Sequence, residues 1–399
     1  MNDMSLLQTT DVLERGGGLE IEAGAAAVDI TPKRRVFIAG YGQNRLSRGI
    51  HDPIWARCLF LRIGEETVAF LSLDLIGLFL DDVDVIRNRA AGNDLRPRDI
   101  IVSCTHNHEG PDTLGLWGPS IGQSGIDPDY LDQLVEGAVS CIWEARESSV
   151  TAHLEVGSTS ATGVSRNARD PDVLDPTLVS LRASAENGET IATLVNFANH
   201  PESLGSENVL ISSDWPGYLY RSVERAIGGT CVFQNAALGG MVTPDVTAHT
   251  FEEAERIGSA TGSATIAALR SATELVPGHI GHRMVEAEIP VTNQRFLSLA
   301  QLKTLKREFR NGLVRTEIHM IRLGDLWMVT VPGEALPKLG LQIKALMGGA
   351  FKALIGLGND ELGYIIPEED FDPSRYEESM SLGPKTAPSI LSAVRQLTE

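Results

Sequence analysis

Short runs of β-branched and other apolar residues recur along the chain, and segments with helical periodicity separate them. Few polar residues interrupt these runs, so they predict strands buried on both faces of a sheet. The predicted strands cover residues 67–73, 100–104, 191–197, 231–235, 326–331 and 353–357. Apolar residues with a period of 3.6 predict helices over residues 82–91, 130–146, 215–227, 251–269, 299–310 and 334–346.

Strands that alternate with helices predict an α/β fold. Residues 152–158 and 282–290 alternate polar and apolar side chains, which indicates added antiparallel strands and therefore mixed β-sheets flanked by helices. Residues 1–24 predict a flexible polar leader that includes three consecutive glycines. No linker or repeat interrupts residues 25–399, so we expect one large catalytic domain there.

Composition narrows the range of partners. The net charge is −19 and is spread along the chain, which argues against binding to nucleic acid or to an anionic membrane surface. The four cysteines are far apart and lie in apolar contexts, which predicts buried free thiols. The first residues lack the pattern of a signal peptide, and no apolar run is long enough for a membrane span. We therefore predict a cytoplasmic protein.

Side chains that can bind a metal or take part in catalysis follow the ends of four predicted strands. His106 and His108 come after the second strand, His200 after the third, Glu334 after the fifth and Tyr364 after the sixth. Loops that leave the carboxyl ends of strands carry the sites of α/β proteins. The sequence therefore predicts that these side chains share one site.

The pair His106 and His108 is the most informative of these features. In extended backbone, residues two apart point the same way, so both imidazoles can address one metal ion. Two histidines, one carboxylate and an open position form a known catalytic zinc pattern. Each feature also has a simpler interpretation when it is taken singly. The histidine pair could lie on the surface or only support a site, and His200 could be a structural histidine. Glu334 could be an acid in the first turn of a helix.

Other catalytic motifs are absent or incomplete in this sequence. The chain has neither HExxH nor GxSxG, and residues 356–363 have the wrong glycine spacing for a dinucleotide loop. His279 and His282 are predicted to lie on a surface loop. Residue chemistry alone thus favours a metal hydrolase, with zinc, manganese or iron all compatible with the ligands.

Several ordered motifs resemble the neutral/alkaline (non-lysosomal) ceramidase family. "THNHEGP" is similar to the family's "THTHSGP", and "NFANHPESLG" with "ISSDWPGY" resembles its second histidine motif and the segment that follows. "FQNAALGGMVTPD", "VPGE" and "GYIIPEEDFDPSRYEESMSLGP" continue the likeness in the same order. The resemblance runs from about residue 25 to residue 385 and implies the catalytic, N-terminal domain of a zinc-dependent amidase.

The resemblance also implies roles for individual residues. One Zn²⁺ per chain would be held by His106, His200, Glu334 and Tyr364. His108 would face the scissile carbonyl instead of binding the metal, a distinction that spacing alone leaves open.

Two further roles follow from the same motifs. Tyr376 corresponds to the family's second active-site tyrosine, and it would donate with His108 to the developing oxyanion. Arg166, in "GVSRNARD", would hold the polar head of the substrate.

The chain departs from the family pattern around the metal. Thr243 replaces a serine, Met241 an aspartate, and Glu109 the serine that follows the histidine pair. Thr243 and Glu109 are therefore expected to contact a changed substrate, with Glu109 adding a negative charge beside the metal. The family's C-terminal immunoglobulin-like domain and export signal are expected to be absent.

The combined prediction is a zinc-dependent hydrolase that cleaves an amide, or an ester, in a soluble N-acyl or related small substrate. A genuine ceramidase that releases a fatty acid and a sphingoid base is the closest alternative. A metal-containing binding protein without turnover, and a metal isomerase or lyase, are alternatives of other classes. A small-molecule substrate is the predicted partner, with no nucleic acid and no stable membrane association; a homo-oligomer is compatible with the sequence.

Overall fold

A nine-stranded mixed sheet and a four-stranded mixed sheet form the centre of the fold. The computed structural model describes residues 19–399. In this range the strands are β1 (Ile21–Asp29), β2 (Gly49–Ile50), β3 (Trp55–Ile63), β4 (Glu66–Leu73), β5 (Ile100–Cys104), β6 (Val150–Ser160), β7 (Ser165–Asn167), β8 (Thr177–Ala185), β9 (Thr190–Phe197), β10 (Leu210–Ile211), β11 (Thr230–Asn235), β12 (Val242–Pro244), β13 (Thr273–Leu275), β14 (Ile280–Pro290), β15 (Leu313–Leu323), β16 (Leu326–Val331), β17 (Glu334–Ala335), β18 (Phe351–Gly356) and β19 (Tyr364–Ile365). The helices are α1 (Leu80–Ala90), α2 (Pro128–Glu147), α3 (Asp214–Ile227), α4 (Phe251–Arg270), α5 (Gln294–Gln301), α6 (Pro337–Leu346), α7 (Tyr376–Ser379) and α8 (Thr386–Thr398), with 3₁₀ turns at Pro97–Asp99 and Glu368–Asp370.

Parallel pairs of strands lie at both edges of the large sheet. Its order is β11-β9-β8-β6-β1-β3-β4-β5, and β13 pairs with β6. The pairs β4/β5 and β9/β11 are parallel, and the strands between them run antiparallel to their neighbours. The small sheet has the order β14-β15-β16-β18 and ends in the parallel pair β16/β18.

The helices and sheets form four layers, and the alternation of side chains along the strands shows which layers are in contact. In β3, Phe60 packs with α1 and α2, while Leu61 faces the small sheet. In β16, Met328 faces the large sheet, while Val329 packs with α6 and α8. Because successive residues of a strand point to opposite faces, both faces of each sheet are covered by apolar side chains. The order of layers is helices, large sheet, small sheet, helices.

Local signals explain where the two longest helices begin. The Asp127 carboxylate accepts hydrogen bonds from the backbone N–H groups of Asp129 and Tyr130, and Pro128 occupies the first helical position of α2. The Thr250 hydroxyl accepts from the N–H of Glu253 at the start of α4. Both are N-cap arrangements that satisfy donors left free at a helix start.

The architecture confirms the predicted α/β class with mixed sheets flanked by helices. The six predicted buried strands correspond to β4, β5, β9, β11, β16 and β18. The predicted helix over 299–310 is wrong, because α5 ends at Gln301 and Lys303 adopts a φ of 57°. A residue in the left-handed region ends a helix. The helix predicted from residue 334 begins instead at Pro337, since Glu334 belongs to β17.

Two further expectations concern single regions. The prediction of a surface loop at His282 is wrong, because His282 lies in β14 and its ring contacts Asp99 and His319. Of the predicted leader, residues 1–18 lie outside the described residues, and β1 begins at Ile21. The four cysteines are buried free thiols, as predicted. Among residues 19–399, no helix combines the length and the apolar character that crossing a bilayer requires.

The layer between the two sheets generates a stability prediction. Ile321 of β15 is fully buried there, so Ile321→Ala should leave a cavity and lower the free energy of unfolding by about 2–5 kcal/mol. Urea denaturation followed by circular dichroism measures the change. Val276, which is 71% exposed, is the matched control, and Val276→Ala should stay within about 0.5 kcal/mol. Equal effects of the two substitutions would contradict the assignment of this layer.

Candidate metal centre

The ends of parallel strands position the predicted ligands. His106 follows β5 by two residues and His200 follows β9 by three. Glu334 and Tyr364 are register partners in the short parallel pair β17/β19, which continues from β16 and β18. Sites of α/β proteins gather at the carboxyl ends of such strands. Two edges of the large sheet and one edge of the small sheet thus meet at one point.

The backbone at His106 differs from the extended form assumed from the sequence. β5 ends at Cys104, and His106 has a φ of 68°, in the left-handed region that is uncommon for residues other than glycine. The rings of His106 and His108 still lie close together, with centroids 5.0 Å apart. The two imidazoles therefore do converge, as the spacing predicted. The cause is the left-handed backbone at His106, since neither histidine belongs to a strand. Such strained residues cluster at functional sites.

Hydrogen bonds orient the rings of two histidines. His106 Nδ1–H donates to the carbonyl oxygen of Ile76 at 2.7 Å, and His200 Nδ1–H donates to that of Val242 at 2.9 Å. A carbonyl oxygen can only accept, so Nδ1 carries a proton in both rings and Nε2 is the nitrogen left to face a metal ion. Metal-binding histidines in proteins show the same arrangement.

An asparagine connects the two histidine segments. The Asn235 side-chain amide, at the end of β11, donates to the carbonyl oxygens of Thr105 and Asn199, each at 2.8 Å. These residues immediately precede His106 and His200. A single amide thus sets the spacing between the two ligands, and both its bonds are buried.

Glu334 faces both imidazoles. Its Oε2 lies 3.2 Å from Nε2 of His200 and 3.4 Å from Nε2 of His106. Burial opposes the ionised carboxylate, but His106 and His200 outweigh it and lower the pKa of Glu334. Burial lowers the pKa of His106 to about 4, so this imidazole is neutral at pH 7. Neutral imidazoles and an ionised carboxylate are the forms that bind a divalent metal.

His108 lies at the same point and lacks protein partners. Burial lowers its pKa well below the ordinary value, and neither ring nitrogen has a hydrogen-bond partner among the described residues. Ligand nitrogens of His106, His108 and His200 all lie within 4.8 Å of one another. Buried polar atoms without partners are rare, so a group outside the chain is expected to satisfy them. The residues present fit a metal ion with a substrate beside it.

The two tyrosines occupy different environments. Tyr364 is buried beside Glu334, and its hydroxyl contacts the sulfur of Met241 at 3.3 Å. Burial, followed by the charge of Glu334, raises the pKa of Tyr364 well above its ordinary value. Tyr376 begins α7, its ring centroid is 6.2 Å from that of Tyr364, and it is 61% exposed. Tyr376 therefore lies at the entrance, while Tyr364 lies at the centre.

Two adjoining cavities open at this point. The first, of about 480 Å³, is mostly apolar. Its apolar lining includes Ile76, Phe79, Leu114, Trp117, Phe296 and Phe309. The second, of about 730 Å³, has a more polar lining that includes Arg166, Thr243, Asn208 and His249. Both cavities touch Tyr41, Glu202, Ser206 and Met241.

The predicted substrate residues fall into two groups. Arg166 and Thr243 are register partners in the β7/β12 pair, and both line the polar cavity. Glu109 lines neither cavity, because its buried carboxylate pairs with Arg45 and accepts from Asn208 Nδ2 at 2.7 Å. The negative charge that we expected from Glu109 beside the metal is therefore compensated within the chain.

Sequence reasoning missed two acids of the site. Glu202 follows His200 by two residues and lines both cavities. Glu361 lines the apolar cavity, and burial raises its pKa well above the ordinary value. The motif "NHPES" contains Glu202 and the motif "GNDELG" contains Glu361, but nothing in their spacing distinguishes an acid that lines a cavity from one on the surface.

Comparison with known proteins decides the family. Residues 21–250 match the sequence model described as neutral/alkaline non-lysosomal ceramidase, N-terminal. The chain belongs to this family. The matched range includes His106, His108 and His200, whereas Glu334, Tyr364 and Tyr376 lie beyond it.

Relatives with curated names support the same placement. The chain is 25% identical over 241 residues to neutral ceramidase B of Dictyostelium discoideum, covering 54% of this chain and 33% of that protein. It is 26% identical over 227 residues to the neutral ceramidase of Drosophila melanogaster, covering 51% and 32%. The match thus spans about a third of the length of these relatives.

A solved structure shares the fold over a longer range. The neutral ceramidase of Pseudomonas aeruginosa superposes with a TM-score of 0.81 at 19% identity, covering 95% of this chain and 75% of that one. This likeness confirms the ceramidase-like fold that the motifs predicted. The roles of individual residues of this member stay predictions.

The two histidines of the pair generate the first test of the site. His106→Ala should abolish metal binding, because Nε2 of His106 faces Glu334. His108→Ala should keep the metal and lose turnover, because the resemblance assigns His108 to the substrate. Elemental mass spectrometry of both purified variants gives metal per chain. Equal loss of metal from both would overturn this division of labour.

Gly40 supplies a second test. It has a φ of 99°, and a Cβ built there would lie 2.4 Å from Cγ of His108. Gly40→Ala should displace the ring and lower kcat by about tenfold or more while the metal content is kept. Gly42→Ala is the matched control, since nothing lies within 4 Å of a Cβ at that position. Unchanged kcat in Gly40→Ala would mean that the position of His108 does not limit turnover.

Proposed function

We propose that this ceramidase-family chain is a zinc-dependent hydrolase that cleaves an amide, or an ester, between an apolar acyl group and a polar leaving group. The observation that carries the proposal is the convergence of His106, His200 and Glu334 on one point, with Nε2 of each imidazole within 3.4 Å of the carboxylate. Two imidazoles and a carboxylate are a donor set of catalytic zinc. Family membership supports the amide as the bond that is cleaved.

The ligand set is His106, His200, Glu334 and Tyr364. A bound zinc ion supplies a water molecule of lowered pKa and polarises the carbonyl oxygen of the substrate. Tyr364 is the least usual ligand, and its burial beside Glu334 supports its inclusion.

His108 and Tyr376 orient the substrate in this proposal. The ring nitrogens of His108 have no hydrogen-bond partner among residues 19–399, so one of them is available to donate to the carbonyl oxygen as it gains negative charge. Tyr376 lines the same cavity, and its hydroxyl is the second donor in this proposal. Removal of a donor of this kind from a water-poor site costs about 3–4 kcal/mol of transition-state stabilisation.

The linings of the two cavities indicate which one holds the acyl half of the substrate and which one holds the leaving group. Aromatic and aliphatic side chains line the first cavity, which suits the acyl chain. Arg166 and Thr243 line the second, which suits the polar leaving group. A soluble N-acyl compound is therefore the preferred substrate.

Ceramide is the second candidate substrate. The apolar lining of the first cavity favours it, because the fatty acyl half of ceramide needs such a lining. A cytoplasmic location, a small-molecule partner and the lack of stable membrane association stay predictions.

Metal content and hydrolysis together test the proposal. The parent protein should contain about one zinc per chain and hydrolyse N-dodecanoyl amides, with activity lost to a chelator and restored by zinc. Glu334→Ala should lose both the metal and the activity, since it removes the carboxylate that faces both imidazoles. Glu186→Ala, at an exposed acid outside both cavities, is the matched control and should keep both.

The other outcomes identify the alternatives. Full zinc without hydrolysis of any amide or ester would favour a binding protein. Turnover of ceramide in detergent well above that of soluble amides would favour a genuine ceramidase. No metal after zinc is offered would contradict the ligand set.

A further inference from the structure

Glu202 lies where the two cavities meet. It follows His200 and Pro201, lines both the apolar and the polar cavity, and is 6% exposed. Neither the metal ligands nor the proposed oxyanion donors include it. A side chain at this junction lies between the cavity assigned to the acyl group and the cavity assigned to the leaving group.

The Glu202 carboxylate has no strong partner in the chain. Among residues 19–399, Oε1 has no hydrogen-bond partner, and Oε2 lies 3.4 Å from the Tyr41 hydroxyl and 3.7 Å from Nδ1 of His108. No lysine or arginine of this range forms an ion pair with it. A buried carboxylate without compensation is costly, so a positive partner from outside the chain is expected.

The neighbouring acid Glu109 shows the contrast. Glu109 is also buried, but Arg45 and Asn208 compensate its charge. Arg45 is thereby engaged, because it also donates to the carbonyl oxygens of Ala39 and His108. The chain thus neutralises one acid of this region internally and leaves the other facing the cavities.

The polar cavity carries a net negative charge. Its charged side chains are Glu202, Glu207 and Arg166, two acids against one base. A cavity with this balance attracts a cation and repels a carboxylate.

We propose that Glu202 recognises a cationic nitrogen on the leaving-amine half of the substrate. This inference rests on the proposed function and names its substrate class: an apolar acyl group joined through an amide to an amine that carries a second, positively charged nitrogen. The acyl chain occupies the apolar cavity, and the ammonium group lies against Glu202 at the entrance of the polar cavity. Glu202 is then a specificity-determining residue.

Three substrates with one acyl chain test the proposal. N-Dodecanoylethylenediamine, N-dodecanoylethanolamine and N-dodecanoylglycine present a cationic, a neutral and an anionic leaving group at pH 7. In the zinc-loaded parent, kcat/KM should be about tenfold higher for the cationic than for the neutral compound, and lowest for the anionic one. In Glu202→Gln the preference for the cation should fall to about twofold or less.

Controls separate recognition from other roles of Glu202. Glu186→Gln removes an exposed acid that lines neither cavity and should keep the preference. A uniform fall in kcat for all three substrates in Glu202→Gln would show that Glu202 only positions His108, and loss of zinc would show that it is a ligand. Either result overturns the proposal, as does equal kcat/KM for the three compounds in the parent.

Binding keeps the test independent of turnover. If the parent hydrolyses none of the three compounds, the proposed function fails, and the same compounds serve as ligands in isothermal titration calorimetry. Tighter binding of the cationic compound to the parent, lost in Glu202→Gln, would still support recognition by Glu202. Equal dissociation constants in the two proteins would refute it.

Discussion

The contact of one buried carboxylate with two imidazoles organises this protein. Glu334 reaches His106 and His200 from a different sheet, at 3.4 and 3.2 Å. Three separate segments therefore have to meet within a few ångströms, and the layers around them hold that meeting in place. Burial opposes the ionised carboxylate, and the two imidazoles outweigh that cost by lowering the pKa of Glu334.

The surrounding structure supports this meeting point through backbone groups. The positive φ of His106, the amide of Asn235 and the β17/β19 pair together fix the ligand segments. None of these devices uses a charged side chain. The charge of the site is thus concentrated on residues that face the candidate metal position and the cavities, while backbone groups and a neutral amide position them.

The prediction from sequence succeeded where a pattern was local. The run at residues 100–104 is apolar on both faces and appears as β5, and the run at 326–331 appears as β16. Prediction failed where distant contacts decide the conformation. Lys303 ends α5 in a segment whose pattern continues as a helix, and His282 is enclosed by Asp99 and His319 from other elements. Spacing along the chain contains no information about such partners.

For the site itself, the sequence alone determined which residues stand at strand ends, and the motif order determined the family. His106, His200, Glu334 and Tyr364 could be named because each follows a recognisable buried strand. Only the tertiary structure decided the electrostatic state of the acids around them. Glu109 and Glu202 both lie close to a histidine in sequence, yet Arg45 compensates only Glu109. The reason is that charge compensation depends on the distance between atoms in space, and folding alone sets that distance.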